Sequence, residues 1–253
     1  MRTIIGNIIK GNTLFNFFKK NDAIAVGVSG GKDSLILLLA LHILITKMNA
    51  EHKMHIKLKG FIVSLGFKKI NYSPILKWAK KNKIELEILD TNIAQILNQK
   101  KEKGLIQCSF CSRMKKAVLI KAIKKQKYNK LAFGHHLDDV IETYIINILN
   151  QGRIAAFKPI TYLTNNKIWL IRPMILTRVK DIIKAAKRNK IPIIKNICPN
   201  EKTTQRSHVR KMMNNLYLNR KYWPNAYANI ARSILNKEKS YLLFNDIKEK
   251  NRV

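Results

Sequence analysis

Acidic residues are scarce in this chain: 15 Asp and Glu stand against 49 Lys and Arg, a formal charge of +34 at pH 7. A surface so short of carboxylates repels basic partners and attracts phosphate backbones, with binding that weakens as salt rises. An AT-rich codon bias favours Lys, Ile and Asn and contributes to the excess without removing its electrostatics. Nucleic acid is therefore the expected partner, ahead of an anionic membrane surface. The basic residues are spread over 100–103, 115–130, 184–195 and 206–221, which describes a broad face and not a tail.

Cysteine is scarce as well. The three present, Cys108, Cys111 and Cys198, are an odd number, which argues against a disulfide framework and for a reducing, cytoplasmic setting. Residues 1–20 have neither a sustained apolar core nor a small-residue cleavage site, so no secretory signal is expected. The longest apolar run, residues 35–46, is interrupted by His42 and too short for a bilayer. It is expected as a buried helix, with no membrane partner. Internal repeats are absent, and 253 residues of 46% hydrophobic content suffice for one large α/β domain, alone or with an appendage.

Against this background one segment stands out. Ser29-Gly30-Gly31-Lys32-Asp33-Ser34 follows the apolar run 23–28 and precedes the apolar run 35–41. A buried strand leads into a glycine turn from which a helix starts, and such a turn aims backbone N–H groups and a helix dipole at one spot. The Walker pattern is not met, because Val26 stands where its first glycine belongs and Asp33 follows Lys32. Gly30 and Gly31 permit close backbone approach, Lys32 and the two serines are phosphate partners, and Asp33 offers oxygen to Mg2+.

Strands are predicted over 23–28, 57–64, 84–89, 130–133 and 168–172. Helices are predicted over 2–19, 33–48, 73–82, 112–125, 138–150 and 179–189, with a linker-like lysine-rich stretch after the third strand. Alternating strand and helix units imply an α/β fold, a parallel sheet with helices on both faces, its ligands at the carboxyl ends of the strands. Residues 1–198 are assigned to this domain. Residues 199–253 read as a basic helical extension that contacts RNA.

Cys108-Ser109-Phe110-Cys111 is a C-x-x-C at the mouth of a predicted helix. With Cys198 it supplies three thiolates and no fourth, so zinc would need a histidine to close its site. An iron–sulfur cubane on three cysteines leaves one iron free, and a redox pair would use the C-x-x-C alone. Gly134-His135-His136-Leu137-Asp138-Asp139 closes a strand and opens a helix, where a carboxylate such as Asp138 can serve as a cap. Two carboxylates and two histidines there face the same crevice as the first loop.

Together these segments, with Ile171-Arg172-Pro173 and the Ile-Pro-Ile-Ile run leading to Cys198, resemble the tRNA 2-thiocytidine synthetase family of the PP-loop ATP-pyrophosphatase superfamily. The resemblance spans about residues 1–235. It implies an ATP- and Mg2+-dependent tRNA sulfurtransferase acting on cytidine 32 of the anticodon loop, through adenylation of the C2 oxygen and attack by sulfide. It implies a 4Fe-4S cluster on Cys108, Cys111 and Cys198, catalytic roles for Lys115 and Asp139, and nucleotide contacts from residues 29–34, Gly134 and His135. A sulfur donor (cysteine desulfurase or free sulfide) and a homodimer are compatible with it.

The chain departs from the family at Ser64, where an acidic residue is common, and at Pro199-Asn200-Glu201, which replaces Gly-Ser-Gln. Lysidine synthetase shares the loop and the substrate class but has no need of three cysteines. Uridine thiolases usually carry further C-x-x-C zinc modules, absent here. A basic RNA-binding protein with a degenerate nucleotide site is the alternative outside enzymes, and the intact Gly30, Gly31, Lys32 and Asp139 weigh against it.

Overall fold

A computed structural model of the chain describes residues 1–66, 70–99, 108–194, 205–219 and 221–235, the side chains of 98, 108 and 109 excepted. The chain divides into two compact units, Met1–Val209 and Arg210–Val253; the sequence reading placed that division at residue 198.

In the first unit α1 (Arg2–Phe15) leads to β1 (Ala23–Val28), α2 (Lys32–His52), β2 (Lys57–Ser64), α3 (Ser73–Lys81) and β3 (Leu86–Asp90). After these come α4 (Ile93–Gln99), α5 (Cys108–Lys125), β4 (Lys130–Ala132), α6 (Leu137–Gln151), β5 (Ile160–Leu163), β6 (Ile168–Ile171) and α7 (Val179–Arg188). The strands form one sheet in the order β3-β2-β1-β4-β6-β5. Every neighbouring pair is parallel except β5 with β6. The order reverses between β1 and β4, and a doubly wound sheet opens its ligand crevice at that point, outside the carboxyl ends of those strands.

Both faces of the sheet are covered, which is why Ile24, Ala25 and Val26 of β1 are all fully buried. On one face Gly60 of β2 leaves room for Leu38 of α2, since a Cβ there would stand 2.9 Å from its Cδ2. On the other, Ala25, Phe61, Leu131 and Leu170 pack against Leu119, Ile120 and Ile123 of α5. The helix α2 is apolar on nearly all sides because it is enclosed, with residues 34–41 buried without a break. By length and composition alone it could cross a membrane, yet over half of its apolar window is buried within this fold.

At the opposite end of the strands from the crevice, Lys130 pairs with Asp22 at 2.6 Å and donates to the Phe17 carbonyl. Asn129 donates to the other oxygen of Asp22 at 2.9 Å. The buried pair is fully hydrogen-bonded and holds the starts of β1 and β4 together.

Three elements differ from the sequence expectation. The first helix stops at Phe15 because Asn16 turns left-handed (φ 53°), and Phe17 and Phe18 enter the core. Part of the lysine-rich stretch forms α4, whose Ile93, Ala94 and Leu97 are buried. Finally, β5 adds an antiparallel edge to an otherwise parallel sheet.

Among the described residues of the second unit two helices are present, the latter part of α8 (Gln205–Leu218) and α9 (Ala226–Leu235), joined by a turn. There Tyr217 meets Tyr227 edge-on, ring centroids 5.2 Å apart.

Candidate active site

The loop after β1 is held open by its own hydroxyls. Ser34 Oγ donates to the Gly31 carbonyl and accepts the Ser29 N–H, both at 3.1 Å, and Ser29 Oγ lies 3.1 Å from it. Gly30 sits at φ +81°, a conformation that costs an L side chain about 1 kcal/mol or more. Gly31 is the N-cap residue of α2 and has no side chain with which to cap it. The first N–H groups of this 21-residue helix therefore face the crevice without an intrahelical partner, the arrangement that binds phosphate. Lys32 Nζ lies 3.1 Å from Asp33 Oδ2, whereas Asp33 Oδ1 is buried and has no hydrogen-bond partner.

The segment after β4 closes against this loop. A Cβ on Gly134 would stand 3.0 Å from the Asp33 carbonyl carbon and 3.1 Å from the Ser34 nitrogen, so only glycine lets the two backbones approach this closely. His136 is the N-cap of α6: its Nδ1 accepts the Asp139 N–H at 3.3 Å, and Asp139 Oδ2 accepts the His136 N–H at 3.1 Å. This reciprocal capping box puts the imidazole proton on Nε2, which points at Asp139 Oδ2 (3.5 Å) and Asp33 Oδ1 (3.8 Å).

The two adjacent carboxylates are both engaged. Asp138, expected as a local cap, instead caps a different helix: its Oδ2 accepts the Val179 N–H at 2.7 Å and so ties the start of α7 to α6. Asp139 completes the capping box and meets Arg206 Nη1 at 3.4 Å. Arg206 also donates to Thr143 Oγ1 at 3.0 Å and lies 3.9 Å from the buried Glu142. Asp33 is thus the carboxylate of this group with an oxygen to spare, which suits it to a hard cation.

His135 turns to the other side of the crevice. Its ring lies 5.0 Å from that of Phe157 and 5.9 Å from that of Phe133. Burial is the main cause that pulls its pKa down to about 4, with the Arg172, Arg206 and His136 charges acting in the same direction against Asp139. The imidazole is therefore neutral at physiological pH. Arg172 places its guanidinium over the Phe157 ring at 5.1 Å, and burial lowers its pKa from the ordinary value.

Cys111 is a half-buried cysteine in the first turn of α5, and Lys115 follows one turn later on the same face. Among the described residues no ion pair joins Lys115 to Asp139, and no group of three or more His, Cys, Asp or Glu forms a metal site. Cys198 and the Cys108 side chain lie outside the described residues. His136, Phe157, Arg172 and Arg206 were not singled out as site residues from sequence. His136 had only its place beside His135, and Arg172 only its place in the Ile-Arg-Pro segment.

Fold, switch-point loop and uncapped helix define a PP-loop domain, and the family of that description matches residues 6–216. The chain is 29% identical to a tRNA-cytidine(32) 2-sulfurtransferase of Coxiella burnetii over 234 residues, 92% of this chain and 89% of that protein. It is 30% identical to tRNA-cytidine(32) 2-sulfurtransferase 1 of Francisella philomiragia, with the same coverage. The chain belongs to the tRNA 2-thiocytidine synthetase family. Its fold is similar to that of the U34-tRNA thiolase NcsA from Methanococcus maripaludis, solved with its 4Fe-4S cluster. That match has a TM-score of 0.68 at 22% identity, over 91% of this chain and 76% of that one. The NH3-dependent NAD synthetase from Campylobacter jejuni shares the fold more distantly, with a TM-score of 0.51 at 12% identity over 96% and 98% of the two chains.

Proposed function

We propose that this chain, an ATP-dependent tRNA sulfurtransferase, converts cytidine 32 of the anticodon loop to 2-thiocytidine. The observation that carries this reading is where the described residues on either side of positions 195–204, which include Cys198, make their contacts. Before them, the Ile194 N–H donates to the Gly30 carbonyl of the phosphate loop at 3.0 Å. After them, Arg206 pairs with Asp139. Both described flanks of the third cysteine thus end at the nucleotide crevice.

In this reading the phosphates of ATP lie on the start of α2, with Lys32, Ser29 and Ser34 around them and Mg2+ on Asp33. The cytosine C2 oxygen attacks the α-phosphorus and pyrophosphate leaves with the broken α–β bond. Sulfide then adds at C2 and AMP departs with the former C2 oxygen, so the base gains sulfur and no electrons change hands. Fixed N–H dipoles and Lys32 neutralise charge on the phosphate oxygens, and positioning supplies the remainder. Asp139 positions the crevice through His136 and Arg206, and Lys115 supplies a cation one turn beyond Cys111. Cys108, Cys111 and Cys198 would hold a 4Fe-4S cluster as soft thiolates, and such a cluster would supply an iron open to sulfide. The basic surface holds the tRNA, and an unpaired loop base leaves its stack at low cost.

Anaerobic reconstitution with iron and sulfide, then nucleoside analysis of tRNA from a strain lacking the gene, tests the reading. Loss of 2-thiocytidine alone is expected, restored by the wild-type gene but not by Cys111→Ser or Asp33→Asn. Loss of lysidine or of 2-thiouridine would overturn it.

A further inference from the structure

Three buried polar atoms without hydrogen-bond partners lie in a row along the carboxyl ends of neighbouring strands: Asp33 Oδ1 after β1, His135 Nδ1 after β4 and Arg172 Nε after β6. A buried donor or acceptor left unpaired costs about 1–3 kcal/mol, so such a row marks where a polar ligand supplies the missing partners. Asp33 is accounted for by the cation. The other two remain.

His135 and Arg172 share one aromatic surface. Phe157 touches the His135 ring at 5.0 Å and carries the Arg172 guanidinium at 5.1 Å. Phe157 belongs to the connection 152–159, which reaches this end of the sheet because Ile160 of β5 pairs with Ile171 of β6. Arg172 pins that connection twice, by donating its N–H to the Pro159 carbonyl at 3.0 Å and Nη1 to the Lys158 carbonyl at 2.6 Å. With those hydrogen bonds and the ring contact made, the direction of Nε–H is fixed, and it has no protein acceptor.

On the reading of the chain as a cytidine thiolase, we infer that Arg172 and His135 read the edge of the target base beside Phe157. Arg172 Nε–H donates to cytosine N3, and His135 Nδ1 accepts from the exocyclic amino group. Both signs favour cytosine over uracil, which offers N3–H to the Arg172 donor and O4 to the His135 acceptor and so reverses each contact. A neutral His135 is required for this, and its buried position keeps it so. The pair determines specificity, and Arg172 also positions the wall on which the base stacks.

The test is equilibrium binding, so its outcome does not depend on turnover. The reconstituted full chain, with Mg2+ and a non-hydrolysable ATP analogue, is titrated with anticodon stem–loops carrying cytosine or uracil at the target position. The wild type is expected to favour the cytosine loop by roughly tenfold or more. Arg172→Lys keeps the charge but loses the Nε–H, and His135→Phe keeps the ring but loses the acceptor; each is expected to bring the ratio towards one. A structural role alone would weaken both loops equally, and thermal melting of each variant separates this from misfolding. Should Arg172→Lys fail to fold, the His135→Phe ratio decides. An unchanged ratio in the variants overturns the inference, as does equal binding by the wild type or a loss of nucleotide affinity in Arg172→Lys in place of base preference. Thiolation of a different nucleotide in tRNA would instead overturn the proposed activity.

Discussion

His136 Nε2 stands 3.8 Å from Asp33 Oδ1, so a buried imidazole from the segment after β4 faces the carboxylate at the start of the central helix. The same ring caps α6 through Nδ1. One side chain therefore serves stability with one nitrogen and the nucleotide site with the other, and two substitutions separate these roles.

His136→Asn keeps a good N-cap but loses the reach to Asp33, whereas His136→Ala loses both. The alanine variant is expected to be less stable by about 1 kcal/mol, and the asparagine variant close to wild type. Both are expected to bind Mg2+-ATP more weakly. Urea unfolding and nucleotide titration, done in parallel, check the split; asparagine restoring nucleotide affinity would contradict it.

Gly134→Ala tests the contact between the two loops. The added methyl group would press on the backbone of Asp33 and Ser34 at 3.0–3.1 Å. Neighbouring backbone must move, so the expected loss is roughly 1–3 kcal/mol of stability, with nucleotide affinity falling further than in a control such as Gly6→Ala, where the new methyl meets nothing within 4 Å.

Acid should destabilise the protein through His135. Its pKa is about 4 in the folded chain against the ordinary imidazole value of 6.5. Well above pH 6.5 neither state is protonated and the residue contributes no slope. Between 6.5 and 4 the unfolded chain binds a proton that the native state excludes, so stability falls as pH falls, by up to roughly 3 kcal/mol over that window. His135→Phe is expected to flatten this part of the curve, measured by denaturant midpoints at pH 7 and pH 4.5.

Arg206→Ala leaves Asp139 and the buried Glu142 without their shared cation. Because the Arg206 side chain is 39% exposed, the stability cost is expected to stay on the order of 1 kcal/mol, whereas thiolation falls by at least tenfold. Arg206→Lys should recover the stability more than the activity, since an ammonium cannot reproduce the fork to Asp139 and Thr143. Equal recovery of both would count against a positioning role.

The local part of this architecture was legible in the sequence. Residues 23–28 and 57–64 read as strands because each contains a short run of apolar residues with Val and Ile, and they are strands at those limits. The glycine loop was readable because its chemistry lies in six consecutive residues. What escaped was long-range. No local pattern shows that Asp138 caps a helix that begins 41 residues later, or that Arg206 reaches Asp139 across 67. The strand β5 escaped for a different reason: four residues at an open edge, backed by a short turn, carry too little periodicity.

Among the described residues, the phosphate site and the longest buried run belong to one helix. Lys32, Asp33 and Ser34 open α2, and Leu35 to Leu41 continue it through the core. Nucleotide thereby becomes a folding ligand, because a form that has lost the core has also lost the helix end that binds phosphate. At a hundred times its dissociation constant it would add about 2.7 kcal/mol to the free energy of unfolding. A substitution deep in the core, far from any substrate, then weakens the apparent grip on ATP once it leaves an appreciable fraction of the chain unfolded.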